Sequence, residues 1–252
     1  MWRNRRRRKV TRLTPAPDVS AADWIVEALQ TFGESVLSLV PAGFAAYVRV
    51  FHPAWQLDDD GYPTISVPWA DVARANGTRA NPAMQFRTVM SAPTFEHNID
   101  PQPGVFDAAP QSGSLPADAV DALVRVLAQH TTTPELCSFA IWEGWGALRA
   151  DIRSAPSFHL PARDYHLLFG PFRAATESAL DVPSADQSPS LWWPQDRAWL
   201  VATEIDLDST YIGCTETCAD AIFAVPGLES SKVEPSCRID WYSDPLNPSP
   251  AE

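Results

Sequence analysis

The sequence has little lysine, little cysteine and no long apolar run. Two lysines stand against 17 arginines, with alanine and proline abundant, a bias that follows GC-rich coding rather than selection for guanidinium chemistry. Four cysteines (Cys137, Cys214, Cys218 and Cys237) in 252 residues are too few for a disulfide framework, so free thiols are expected. No stretch reaches the roughly 20 apolar residues that span a bilayer. The basic N-terminus runs into Thr14-Pro15-Ala16-Pro17-Asp18 rather than an apolar segment, which argues against a secretory signal and for a cytoplasmic protein. Catalytic signatures are missing as well. There is no G-x-S-x-G elbow, phosphate-binding loop, G-x-G-x-x-G, C-x-x-C or H-x-x-x-H. These absences argue against the common serine-hydrolase, P-loop and dinucleotide classes, and no cofactor is expected.

What is present is acid, proline and aromatics. The formal net charge is −12, and it is unevenly placed. Residues 1–12 carry seven basic residues and no acid, leaving 12 basic against 31 acidic residues beyond them, a formal −19. A body of that sign repels nucleic acid and anionic lipid. Nucleic acid is therefore a candidate partner only through the arm residues Arg3, Arg5, Arg6, Arg7 and Arg8. The 24 prolines cut the chain into short elements, and ten Trp with eleven Phe supply core area.

Residues 1–18 read as a disordered basic arm with too little apolar surface to order itself. Ser20, with Asp23 three later, looks like a helix start. Ser114 looks like the cap of a helix whose stripe is Val120, Leu123, Val124 and Leu127. Phe44 to Phe51 is apolar on both faces and reads as a central strand. Cys137 to Trp142, Ala147 to Ile152, Ser157 to Leu160 and Tyr165 to Phe169 read as an antiparallel meander, and Ala198 to Leu207 as a further strand. Residues 91–114 read as a long loop, and the segment after Asp240 as a frayed tail. The expected architecture is α+β, with a mixed or mostly antiparallel sheet and about four flanking helices. It divides into the arm (1–18), one domain (19–240) and a Pro-rich tail (241–252).

Several phrases occur together: Val40-Pro41-Ala42-Gly43-Phe44, His52-Pro53, Thr132-Thr133-Pro134, Trp142-Glu143-Gly144-Trp145-Gly146, Trp193-Pro194-Gln195-Asp196-Arg197-Ala198-Trp199 and Asp206-Leu207-Asp208-Ser209-Thr210. From about Asp23 to about Val233 the chain resembles a family of uncharacterised actinobacterial proteins. That resemblance implies no activity and no catalytic residue. The helix followed by Val40 to Tyr47 and an antiparallel sheet has a weaker likeness to the SMI1/KNR4-type immunity fold.

Several places carry candidate chemistry. Glu204, Asp206 and Asp208 alternate with apolar residues, so in a strand they share one face and can hold Mg²⁺ or Ca²⁺ or raise one another's pKa. The competing reading is a solvated sheet face. The Trp142-Glu143-Gly144-Trp145 turn and the Trp193 to Arg197 segment present indoles, a carboxylate and a guanidinium suited to a ligand or a Pro-rich partner. There the competing reading is core packing, with Asp196 and Arg197 as an ion pair. His159, Asp164 and His166 are a weak zinc candidate, and Cys214 at a helix start is a candidate for a lowered thiol pKa. The leading functional expectation is a non-enzymatic binding or interaction protein, immunity-like or regulatory, with a protein partner. The alternative is a hydrolase or transferase that uses the carboxylates with a divalent metal.

Overall fold

The computed structural model describes residues 12–29, 31–91, 99–182 and 186–247. In chain order these form β1 (Thr14–Pro15), α1 (Asp23–Ala28), β2 (Ala46–Phe51), β3 (Ala54–Leu57) and β4 (Pro63–Val67). Then come α2 (Trp69–Asn76), α3 (Phe86–Val89), α4 (Ala117–Leu127), β5 (Cys137–Trp142), α5 (Ala150–Arg153), β6 (Ser157–Leu160) and β7 (Arg163–Gly170). The chain continues through β8 (Leu191–Pro194), β9 (Leu200–Thr203), β10 (Ser209–Cys214), α6 (Glu216–Phe223) and β11 (Ser230–Lys232).

Nine strands make one sheet in the order β1-β7-β5-β8-β9-β10-β2-β11, with β6 added beside β7, and every described pairing is antiparallel. The α+β class expected from the sequence is observed. Hairpin-like pairs such as β6–β7 and β9–β10 combine with long-range pairs such as β1–β7, β2–β10 and β5–β8, and all are antiparallel in this sheet. Side chains alternate across it, so each face builds its own core. On one face α4 and α6 lay Val120, Leu123, Leu127, Cys218 and Ile222 against Phe139, Ile141, Val201 and Ile212. On the other, α1 and the segments around Val36 and Val233 cover Tyr165, Leu167, Trp193 and Tyr211. A lateral core of Trp69, Phe86 and Phe106 joins α2, α3 and the β3–β4 hairpin. It is tied to the sheet by Arg49, a buried cation on β2. Arg49 donates to Ser209 Oγ and to the Pro82 and Met84 carbonyls, and lies over the Phe51 and Trp69 rings. No helix among the described residues is long and apolar enough to cross a membrane.

Several local expectations are corrected. The arm expected over 1–18 is packed from Leu13 onward. Leu13 is fully buried, Thr14 and Pro15 pair with Phe169 and Leu168, and the Ala16 N–H bonds Leu167 O. Residues 1–11 lie outside the described residues. The tail expected to fray from 241 is instead held through Asp244 and Asn247, both buried. The Asp244 carboxylate accepts from Thr88, Asn81 and Asn247, and those bonds outweigh burial and hold its pKa low. Residues 248–252 are outside the description. The turn before α1 is capped by Asp18, which accepts from the Ser20 N–H and hydroxyl, and not by Ser20. Ser114 does not cap α4 either; its hydroxyl donates to Asp186 O and accepts from Ser188 N. Ala147 to Ile152 is no strand, having one isolated bridge at Leu148 before α5. Of the loop expected over 91–114, residues 92–98 are outside the description. Beyond them Ala108 pairs with Trp55 and Phe106 is buried.

Candidate functional site

The strand expected over 198–207 is only β9, and the chain reverses after Thr203. Glu204, Asp206 and Asp208 therefore sit in the β9–β10 turn, where period two no longer applies and the carboxylates separate. Glu204 is buried and accepts from Arg163 at 2.9 Å, while exposed Asp206 takes the same guanidinium at 2.6 Å. Burial pushes the Glu204 carboxyl up, and Arg163 opposes that. Asp208 turns the other way and accepts from Ser112 Oγ; burial raises its pKa too. Asp206 and Asp208 line a cleft of about 420 Å³ with Trp241 and Ser112, whereas Glu204 lines a different, nearly filled groove of about 20 Å³ beneath Phe32. The expected three-carboxylate face is thus not formed. Among the described residues no group of three His, Cys, Asp or Glu side chains is placed to hold a metal ion.

Nor do His159, Asp164 and His166 meet as ligands. His159 pairs with Asp164 at 2.8 Å, and His166 donates to Ala155 O. Cys214 is not the activated thiol. Its hydrogen bond to Cys218 and its burial raise it, while the same bond lowers Cys218, which sits in the first turn of α6.

The aromatic candidates separate toward the two ends of β5. At its C-terminal end Trp142 and Trp145 meet edge to face, with centroids 5.3 Å apart. Trp142 packs on one core and Trp145 on the other, as the structural reading of this turn expects. A side chain on Gly144 would strike the Trp142 ring, so the glycine is needed to close the turn. Arg163 lies 5.9 Å from the Trp142 centroid and 4.7 Å from Phe32. Glu143 is exposed and contributes its backbone N–H to Asp164 O.

At the other end of β5 the antiparallel register sets Ser138 between Trp193 on β8 and Phe169 on β7. These three residues line a cleft of about 530 Å³ together with Leu136, Gln195 and Arg197. Period two puts the Ser138 side chain on the face of Ala140 and Trp142, the side where Trp193 and Phe169 pack. Ser138 is 5% exposed, and its hydroxyl has no hydrogen-bond partner among the described residues. Arg197 is held over the cleft by a turn in which its N–H bonds Pro194 O, with a left-handed φ of 54°. Its guanidinium rests 5.2 Å from the Trp24 centroid, and Trp24 meets Trp193 edge to face at 6.3 Å.

The ion pair expected between Asp196 and Arg197 is not formed. Asp196 caps the Thr131-Thr132 turn, accepting from both hydroxyls and from Thr132 N. Burial would raise the Asp196 carboxyl, but these bonds and one from Ala198 N together hold it low. Arg197 is left with no carboxylate among the described residues. Trp24 and Ser138 were not singled out from the sequence. Trp24 lay within a helical apolar stripe. For Ser138 the available signal was one hydroxyl inside an otherwise apolar strand.

Comparison of the chain with protein-family models, curated proteins and solved structures returns no match.

Proposed function

We propose that this is a non-enzymatic binding protein, cytoplasmic and regulatory or immunity-like in role, and that the cleft at Trp193 and Arg197 is its ligand surface. The observation that carries the reading is the pairing of a carboxylate-free guanidinium with a hollow that is floored by Phe169 over buried Trp193 and has a volume usual for small-molecule sites. Left-handed backbone at a non-glycine residue costs free energy, and such residues cluster at binding positions. The alternative, a hydrolase or transferase using Glu204, Asp206 and Asp208 with a metal, is weakened by the separation of these groups and by Arg163 neutralising two of them.

The test is incubation of the full chain with a cell metabolite extract, followed by native mass spectrometry of the protein and quantification of the extract. A compound retained stoichiometrically and recovered unchanged is the expected outcome. A compound consumed beyond stoichiometry, with its consumption abolished by Asp206→Asn or Asp208→Asn, would overturn the proposal. Calorimetry with Mg²⁺, Ca²⁺ and Mn²⁺ checks the metal version directly, and no saturable heat is expected.

A further inference from the structure

Resting on the binding reading above, the geometry points to a ligand class: we infer that the cleft takes a small aromatic monocarboxylate bearing a hydroxyl or ring nitrogen at its far end. Three features set this choice. The first is charge. Among the described residues Arg197 is the one cation lining the cleft, and it meets no carboxylate there. Its guanidinium fork matches a planar carboxylate bidentately. One guanidinium on a protein of net charge −12 suits a single negative charge and disfavours a phosphate dianion. Glu135, which also lines the cleft, does not create an ammonium subsite, because Arg173 already holds both its oxygens at 3.0 and 3.1 Å.

The second feature is shape. Trp193 is buried beneath the floor, half-buried Phe169 lies beside it, and exposed Leu136 extends the apolar wall outward, so the body that fits is apolar and slender enough to lie along this wall. The third is the floor itself. Ser138 is 5% exposed as a residue, and its hydroxyl, which has no partner among the described residues, opens into the cleft. A hydroxyl that opens into the cleft and bonds no protein group offers the ligand's distal polar atom a defined partner there. Acid and polar end are thus read by two groups lining one hollow, the exposed Arg197 and the largely buried Ser138.

The experiment measures binding of three probes to the full-length protein by calorimetry and ligand-observed NMR: 4-hydroxyphenylacetate, phenylacetate and 4-hydroxyphenylacetamide. The hydroxylated acid is expected to bind best. Removing its charge as the amide should weaken binding about tenfold or more, and Arg197→Gln should do the same to the acid while leaving the amide unchanged. Ser138→Ala should weaken the hydroxylated acid several-fold and leave phenylacetate unchanged. Circular dichroism melts check that both variants fold, and Arg197 is exposed, so its substitution is well tolerated on physical grounds. Absence of saturable binding by all three probes at millimolar concentration overturns this inference while leaving the broader binding reading standing. Equal binding of acid and amide, or indifference to Arg197→Gln, also overturns it. Consumption of a probe during the titration would instead overturn the binding reading itself.

Discussion

His52 is a buried imidazole whose neighbours dictate its tautomer. Its Nδ1 faces the Gln111 carbonyl at 2.7 Å and must donate, so Nε2 accepts from Thr210 Oγ1 at 2.9 Å, and Thr210 is joined in turn to Thr203. Burial, aided by the Arg49 charge and opposed by the Gln111 bond, lowers its pKa to about 4. Between that value and the ordinary pKa of about 6.5 the unfolded chain binds a proton that the folded one refuses. Its contribution to stability is therefore present above pH 6.5 and is lost as pH falls toward 4. Glu204, Asp208 and Glu229 have raised native pKa values and act in the opposite sense, gaining stability as pH falls. A comparison isolates the histidine. Relative to His52→Gln, the wild type should lose roughly 3 kcal/mol between pH 6.5 and pH 4 in urea titrations. Parallel curves for the two proteins would refute this. Arg163 makes the complementary case. Replacing it by Met strands a Glu204 whose side chain is 7% exposed. The expected loss is roughly 3 kcal/mol at pH 7, shrinking as pH falls and Glu204 takes up its proton; a pH-independent loss would show that packing and not charge is at stake.

Elements were legible where pattern and punctuation agree. The strand Cys137–Trp142, the strand Ser157–Leu160 and the buried stripe of α4 stand where the sequence puts them, because each combines a clean apolar pattern with flanking turn residues. The misreadings arise where a side chain takes a tertiary partner in place of a local one. Ser114 looks like a cap, yet its hydroxyl serves the distant 186–188 backbone. The alternation at 203–208 looks like strand, yet the Leu207 N–H bonds Glu204 O and closes a turn. Alternating polarity is equally the pattern of a hairpin whose acidic side chains each find a different partner. The site was half legible for the same reason. Trp193 and Arg197 announce themselves by residue type. Their relation to Ser138 and Trp24 depends on a β5–β8 pairing between chain segments more than fifty residues apart, which no local pattern encodes. Trp142 and Trp145 share that residue type, but a glycine-closed turn commits them to the two cores.

At the scale of the whole molecule, the N-terminal segment combines two physical terms that deletion can separate. Removing residues 1–11 and removing residues 1–18 each take away a net six positive charges, leaving a formal −18 in place of −12. Any change in self-repulsion is therefore common to both deletions, and salt screens it, with a Debye length of about 8 Å at physiological strength. Among the described residues, the packing that is lost belongs to the longer deletion. It takes Leu13, fully buried between the sheet and the helix layer, the β1 pairing with Phe169 and Leu168, and Ala16. It also removes the N–H of Leu13, which donates to Glu177 at 3.1 Å, and the Asp18 cap of the turn leading into α1. The Arg12–Asp151 contact at 3.8 Å, with Arg12 largely exposed, adds little. Burial of one large apolar side chain is worth roughly 1.5–3 kcal/mol, so with its hydrogen bonds this segment should contribute about 2–4 kcal/mol. In a chain of this size that is a midpoint shift on the order of 10 °C. Thermal melts at low and high salt provide the measurement. The shorter deletion should move the midpoint only at low salt, whereas the longer one should show an additional drop that persists at high salt. Coincident midpoints for the two deletions at high salt would mean that Leu13 and β1 do not stabilise the fold.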